Sequence, residues 1–169
     1  MYFWKIEHLK QDLAAGDFGD QKAAPYILAS VALGAFAMAT AGYFPYEDIN
    51  LWTYSESVLF VLAPIIGTVA AYRANGGNAG IDFANRYFSL GFVLLIRLLM
   101  LLIPILLVVS LYMLAMYDLA EPVPTTLLEV ALLGLWIVAY YWRLAKHIRD
   151  VTEAHSPASS NGSPASRHS

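Results

Sequence analysis

Arginine is the residue type here with the clearest chemical potential. Arg97 lies inside RYFSLGFVLLIRLLMLLIPILLVV, residues 86–109, a stretch otherwise made almost wholly of Leu, Ile, Val and Phe. A guanidinium stays charged at any physiological pH and presents a planar fork of donors, which suits a phosphate or a carboxylate. Arg86 opens the same stretch and Arg73 comes shortly before it. Arg97, Arg86 and Arg73 are therefore the candidate contacts for an anion or a lipid headgroup. Arg97 also has a plainer reading. Residues 98–117 are twenty uncharged positions, enough to cross a bilayer unaided. Arg97 then stands at the edge of the apolar zone and reaches back to the headgroups along its own stem.

Two acidic residues sit beside apolar runs, each in the pattern T-x-x-E: Thr53 with Glu56, and Thr126 with Glu129. In a capping box the threonine hydroxyl accepts from an orphan backbone N–H and the glutamate reaches back to the cap N–H. That accounts for both carboxylates without a proton or cation site, the functional alternative.

Other chemistry is sparse. The histidines are His8, His147, His155 and His168, none inside an apolar run, so haem ligation between helices is not expected. No H-E-x-x-H, G-x-S-x-G or P-loop pattern occurs. With no cysteine, disulfides and thiolate chemistry are excluded. No catalytic residue, metal site or cofactor is expected, and the chain does not read as an enzyme.

The elements that would position these residues follow from composition. The 169 residues are 59% hydrophobic and 14% charged, with a mean hydropathy of +0.55. A soluble domain carries about 25% charged residues. The class expected is an all-α, polytopic integral membrane protein with four transmembrane helices and a short N-terminal amphipathic helix. A net charge of −3 gives no basic footprint for nucleic acid.

The chain divides into a cytoplasmic amphipathic segment, 1–22, a four-helix transmembrane domain, 23–149, and a C-terminal tail, 150–169, whose Ser, Ala and Pro content predicts disorder. The spans fall at about 23–44, 54–73, 87–116 and 127–145. Nine of the ten Lys and Arg residues lie before the first span, in the second connection or after the fourth, and the other two connections hold none. Positive residues stay on the cytoplasmic side, so both termini are expected inside, in the plasma membrane of a bacterium. The N-terminus is broken by Lys5, Glu7, His8 and Lys10 and lacks the apolar run of a signal peptide.

Tyr2, Ile6, Leu9 and Leu13 form a helical stripe expected to lie on the membrane surface, anchored by Phe3 and Trp4. The alternative is a helix that docks a partner. RANGGNAG reads as a flexible turn, with Asp82 and Arg86 as i, i+4 neighbours after it. Ser30, Gly34, Ala37 and Ala41 form a small-residue stripe for close helix packing. Pro64, Gly67 and Pro104 are possible kink positions. The expected partners are the lipid bilayer and other copies or other membrane proteins. The leading function is an accessory or scaffolding subunit working through helix–helix and cytoplasmic-face contacts. The alternative is a small transporter or channel that builds its pathway by oligomerising.

Overall fold

The structure is a computed structural model that describes residues 5–16, 18–41, 49–116 and 125–155. Tyr2, Phe3, Trp4 and the tail beyond His155 lie outside them. The described chain is all-helical: α1 (Ile6–Ala14), α2 (Asp20–Ala41), α3 (Leu51–Ala74), α4 (Phe83–Met116) and α5 (Leu127–His155), with a single 3-10 turn at Gly77–Ala79. Helices α2 to α5 are each long and apolar enough to cross a membrane. They run unbroken through Pro25, Pro64 and Pro104.

The long helices form an open row. Helix α2 packs on α4, α4 on α5, and α5 on α3, the most extensive pairing. Helices α3 and α5 run in the same direction. Their starts are joined where Asn50 Nδ2 donates to the Thr125 carbonyl at 3.0 Å. Their far ends meet where Thr152 Oγ1 lies 3.5 Å from Asn75 Oδ1. Glycine and tyrosine mesh between the helices: a Cβ at Gly67 would overlap the Tyr141 ring, and one at Gly91 would stand 2.9 Å from the Tyr140 hydroxyl.

Burial is concentrated at one end of the row. Leu144, Ile148 and Val151 of α5 recur at helical spacing and are buried. They meet Leu90, Val93 and Leu94 of α4, with Tyr26 of α2 and Phe18 completing the core. Toward the other end the apolar side chains point outward, with Met38 82% and Leu51 70% exposed. Apolar surface that extensive needs lipid or another protein to cover it.

The first helix corrects the sequence expectation. Ile6, Leu9 and Leu13 do not face outward: they are buried against α5 and α4, Leu9 completely. Helix α1 runs beside α5 in the same direction, because its contacts advance together. Lys10 Nζ reaches Asp150 Oδ2 at 2.8 Å, and the Ala14 carbonyl lies 2.6 Å from His155 Nδ1. The cause is that α5 continues as a helix to His155 and presents an apolar seam of its own, which covers the stripe. N- and C-terminal elements therefore meet at one end of the fold.

Candidate functional site

The polar features of the packed end are built around Asn75, which caps the C-terminus of α3. Its backbone N–H bonds to the Ala71 carbonyl at 3.0 Å. Gly76 follows at φ +94°, a left-handed turn that glycine takes without strain. The Asn75 side chain is fully buried and donates through Nδ2 to the Ile81 carbonyl at 3.0 Å. Tyr72 O–H donates to Asn78 Oδ1 at 2.7 Å. The segment expected to be a loose glycine turn is thus a hydrogen-bonded one, because Asn75 and Asn78 supply side-chain anchors across it.

Arg86, in the first turn of α4, completes the network. Its Nη1 donates to Asn75 Oδ1 at 2.9 Å and to Thr152 Oγ1 at 3.1 Å, while the Thr152 hydroxyl donates to the Ile148 carbonyl at 2.9 Å. These bonds tie α3, α4 and α5 together through one guanidinium. Arg86 is 1% exposed, and its Nε and Nη2 have no hydrogen-bond partner among the described residues. Its bonds go to neutral oxygens rather than to Asp82, the neighbour expected from the sequence. A buried charge without a bonded counter-ion is costly, so this is a place where the fold holds positive potential.

Thr152 also lines a groove of about 460 Å³ between the ends of α3 and α5. Arg73, Gly76, Arg149 and Glu153 share its walls. Arg73 and Arg149 are exposed, and their guanidinium groups make no hydrogen bond or ion pair among the described residues. Of the three arginines singled out from sequence, Arg73 and Arg86 therefore converge through Thr152. Arg97 does not join them. It is half-buried on α4, eleven residues beyond Arg86, or about 16 Å along the axis.

The helix caps divide. At α5, Thr126 N–H donates to Glu129 Oε2 at 2.8 Å and Glu129 N–H to Thr126 Oγ1 at 3.4 Å, a reciprocal box. At α3 the box is shifted. Asn50 is the cap, its Oδ1 accepting from Trp52 N–H at 2.8 Å and Thr53 N–H at 3.1 Å, and Thr53 Oγ1 accepts from Asn50 N–H at 3.4 Å. Thr53 is the third residue of the helix and Glu56 lies a turn further on. Asparagine outranks threonine as a cap, so the helix starts three residues earlier than the T-x-x-E pattern indicated.

In the small-residue stripe, Ser30 Oγ donates to the Tyr26 carbonyl at 2.8 Å. Among the described residues, a Cβ built on Gly34 meets nothing within 4 Å beyond its own helix, and Ala37 is exposed. The side chain of Ala41 lies outside the described residues.

Around α1, the hydrogen bond from Lys10 holds the Asp150 carboxyl below the usual carboxylate range. Burial pushes the Lys10 ammonium down, but its bonds to Asp150 and Glu7 outweigh that and leave it raised. Burial, helped by the charge of Lys10, lowers His147.

Arg149, Asn75 and Thr152 were not among the sequence candidates. Arg149 was counted only toward the positive side of the chain, and nothing local marks an Asn or Thr as belonging to a network that spans three helices. Compared with known proteins, the chain matches no family model, no curated protein and no solved structure.

Proposed function

We propose that this chain is a multi-pass protein of a bacterial plasma membrane, with both termini cytoplasmic, and that it serves as an accessory or scaffolding subunit. Lipid covers the outward apolar faces. The positively charged end is the cytoplasmic one, in keeping with the Lys and Arg distribution.

The observation that carries the reading is the contrast between glycines. Where the chain packs on itself, Gly67 and Gly91 are met by Tyr141 and Tyr140; on α2, at one edge of the row, Gly34 meets nothing among the described residues. Small residues let membrane helices approach closely, and this unused approach surface suits a helix from another protein or another copy. The packed end offers a firm cytoplasmic face beside it. A transporter or channel made from several copies is the second reading, supported by the open row of helices, which encloses no pathway alone.

Two measurements test this. Single cysteines can be placed at Ile49 and Asn78, since the chain has none of its own. An impermeant reagent added to intact cells should label Ile49→Cys and not Asn78→Cys; labelling of Asn78→Cys overturns the orientation. Gly34→Leu should dissociate the complex isolated in mild detergent while insertion stays normal. An unchanged complex overturns the role of α2. Substrate flux into proteoliposomes by the purified chain would move the assignment to the second reading.

A further inference from the structure

The groove between α3 and α5 has a position as well as a composition. Helices α3 and α5 start at Leu51 and Leu127, side by side and tied by Asn50 and Thr125. Arg73 lies twenty-two residues beyond Leu51, and Arg149 lies twenty-two residues beyond Leu127. At 1.5 Å per residue, both arginines are about 33 Å from the joined start. The hydrocarbon core of a bilayer is about 30 Å thick. Two parallel helices used as rulers thus put two exposed guanidinium groups just past the apolar zone, at one level, on the walls of one groove.

The geometry points to this groove as a site for a phosphate group, presented by the headgroup of a membrane phospholipid. The inference rests on the membrane reading above. Among the described residues neither the Arg73 nor the Arg149 guanidinium is engaged, so both forks are available for the two-pronged contact that guanidinium makes with phosphate oxygens. Glu153 on the same wall offsets one of the two charges. The lining is left with one net positive charge, which matches the single negative charge of a phosphodiester. Behind Thr152 stands Arg86, buried and bonded only to neutral oxygens. Its charge, held without a bonded counter-ion and offset only through space by Asp82, adds attraction for an anion. At about 460 Å³ the groove has the size of a small-ligand site.

The test uses the full chain, first shown to stay with membranes after an alkaline wash and then purified in detergent. Loss from the membrane at the first step would overturn the membrane reading itself, separately from the site. Native mass spectrometry then compares binding of phosphatidylglycerol with that of a diacylglycerol of the same chains, which has no phosphate. Phosphatidylglycerol should bind and diacylglycerol should not. Arg73→Gln with Arg149→Gln should weaken phosphatidylglycerol binding about tenfold or more, the scale of losing charge-assisted bonds. Lys5→Gln with Arg143→Gln removes the same charge outside the groove and should leave binding within about twofold.

Arg73→Lys with Arg149→Lys keeps the charge but not the fork, and should retain only part of the affinity even if the glutamine variants fold poorly. Inorganic phosphate at millimolar concentration supplies the remaining arm. Failure to displace the lipid assigns the site to headgroups. Displacement that depends on Arg73 and Arg149 assigns it to phosphate from either source. Equal binding of diacylglycerol, or phosphatidylglycerol binding unchanged in the glutamine variant, would overturn the proposal.

Discussion

Asn75 and Arg86 face each other across the turn between α3 and α4, with Asn75 Oδ1 2.9 Å from Arg86 Nη1 and both side chains out of reach of solvent. The amide accepts from a charge on one side and donates to the turn on the other. Asn75→Ala removes both bonds and leaves the guanidinium one neutral oxygen. Hydrogen bonds to charged groups are worth about 1.5–3 kcal/mol, so a loss of at least that size is expected in reversible unfolding from detergent micelles. Asn75→Asp, which supplies a counter-ion but no donor to Ile81, should recover part of it. Equal stability of Asn75→Ala and the parent would show that the network contributes nothing.

The shifted cap at α3 orders another set of variants. Asn50→Ala should cost about 0.5–2 kcal/mol, the range for losing an N-cap side chain. Thr53→Ala should cost less, because every bond of its hydroxyl, to Asn50 N–H, Asn50 Oδ1 and Thr125 Oγ1, is a long one of 3.4 Å. At α5 the order of importance returns to threonine, and Thr126→Ala should destabilise while Glu129→Gln does little, since glutamine also closes a box. Thermal unfolding of the four variants checks the ranking. Thr53→Ala costing more than Asn50→Ala would restore the cap to Thr53.

Docking of α1 should depend on pH at both extremes. The folded Asp150 pKa is depressed by the bond from Lys10. Its contribution is therefore present above the unfolded value of about 3.9 and lost as pH falls through the lower folded value. His147 is also depressed, by burial first, so its contribution is complete above about 6.5 and drains away below it. Lys10 is raised, and its share persists below about 10.4 and fades as pH rises further. Hydrogen exchange in α1 should thus be slowest near neutral pH and quicken on both sides. Asp150→Asn should flatten the part of the acid limb below about pH 4; an unchanged limb would remove the Lys10–Asp150 pair as its cause.

Gly67 and Gly34 are both helical glycines in apolar runs, yet only one is covered. Gly67→Ala sets a methyl against the Tyr141 ring and should cost about 1–3 kcal/mol, as overpacking does. Tyr141→Leu should relieve that cost. Gly34→Ala should leave the isolated chain as stable as before or slightly more so. Unfolding of the single and double variants in micelles measures all of these, and tolerance of Gly67→Ala would show that α3 and α5 sit further apart.

Much of the architecture was legible because a helix that must present apolar residues all round for some twenty positions leaves a strong record, and because lysine and arginine fall on one side. Arg73 and Arg86 were legible for the same reason: charge beside an apolar run is conspicuous. The position of Asn50 was missed because two acceptable caps stood three residues apart and only geometry chooses between them. The fate of Ile6, Leu9 and Leu13 was missed for a different reason. An amphipathic stripe has the same spacing whether lipid or protein covers it, and here the cover is an extension of α5 that begins 130 and more positions along the chain.

That separation shapes how the protein is made. Lys10 and Asp150 are 140 positions apart, and Ala14 and His155 are 141 apart, so α1 leaves the ribosome well before α5, the helix on which it docks. At roughly 5–20 residues per second, α1 waits on the order of ten seconds or more for the surface that will cover it. Until α4 and then α5 are made, its leucines lack the protein surfaces that bury them in the fold, and in the membrane setting proposed above the apolar phase at hand is the bilayer. In that setting the amphipathic pattern serves two hosts in turn: lipid while the later helices are threaded, then α4 and α5. A chain stopped before Leu144 would carry α1 in that nascent state, without the α5 residues that cover it.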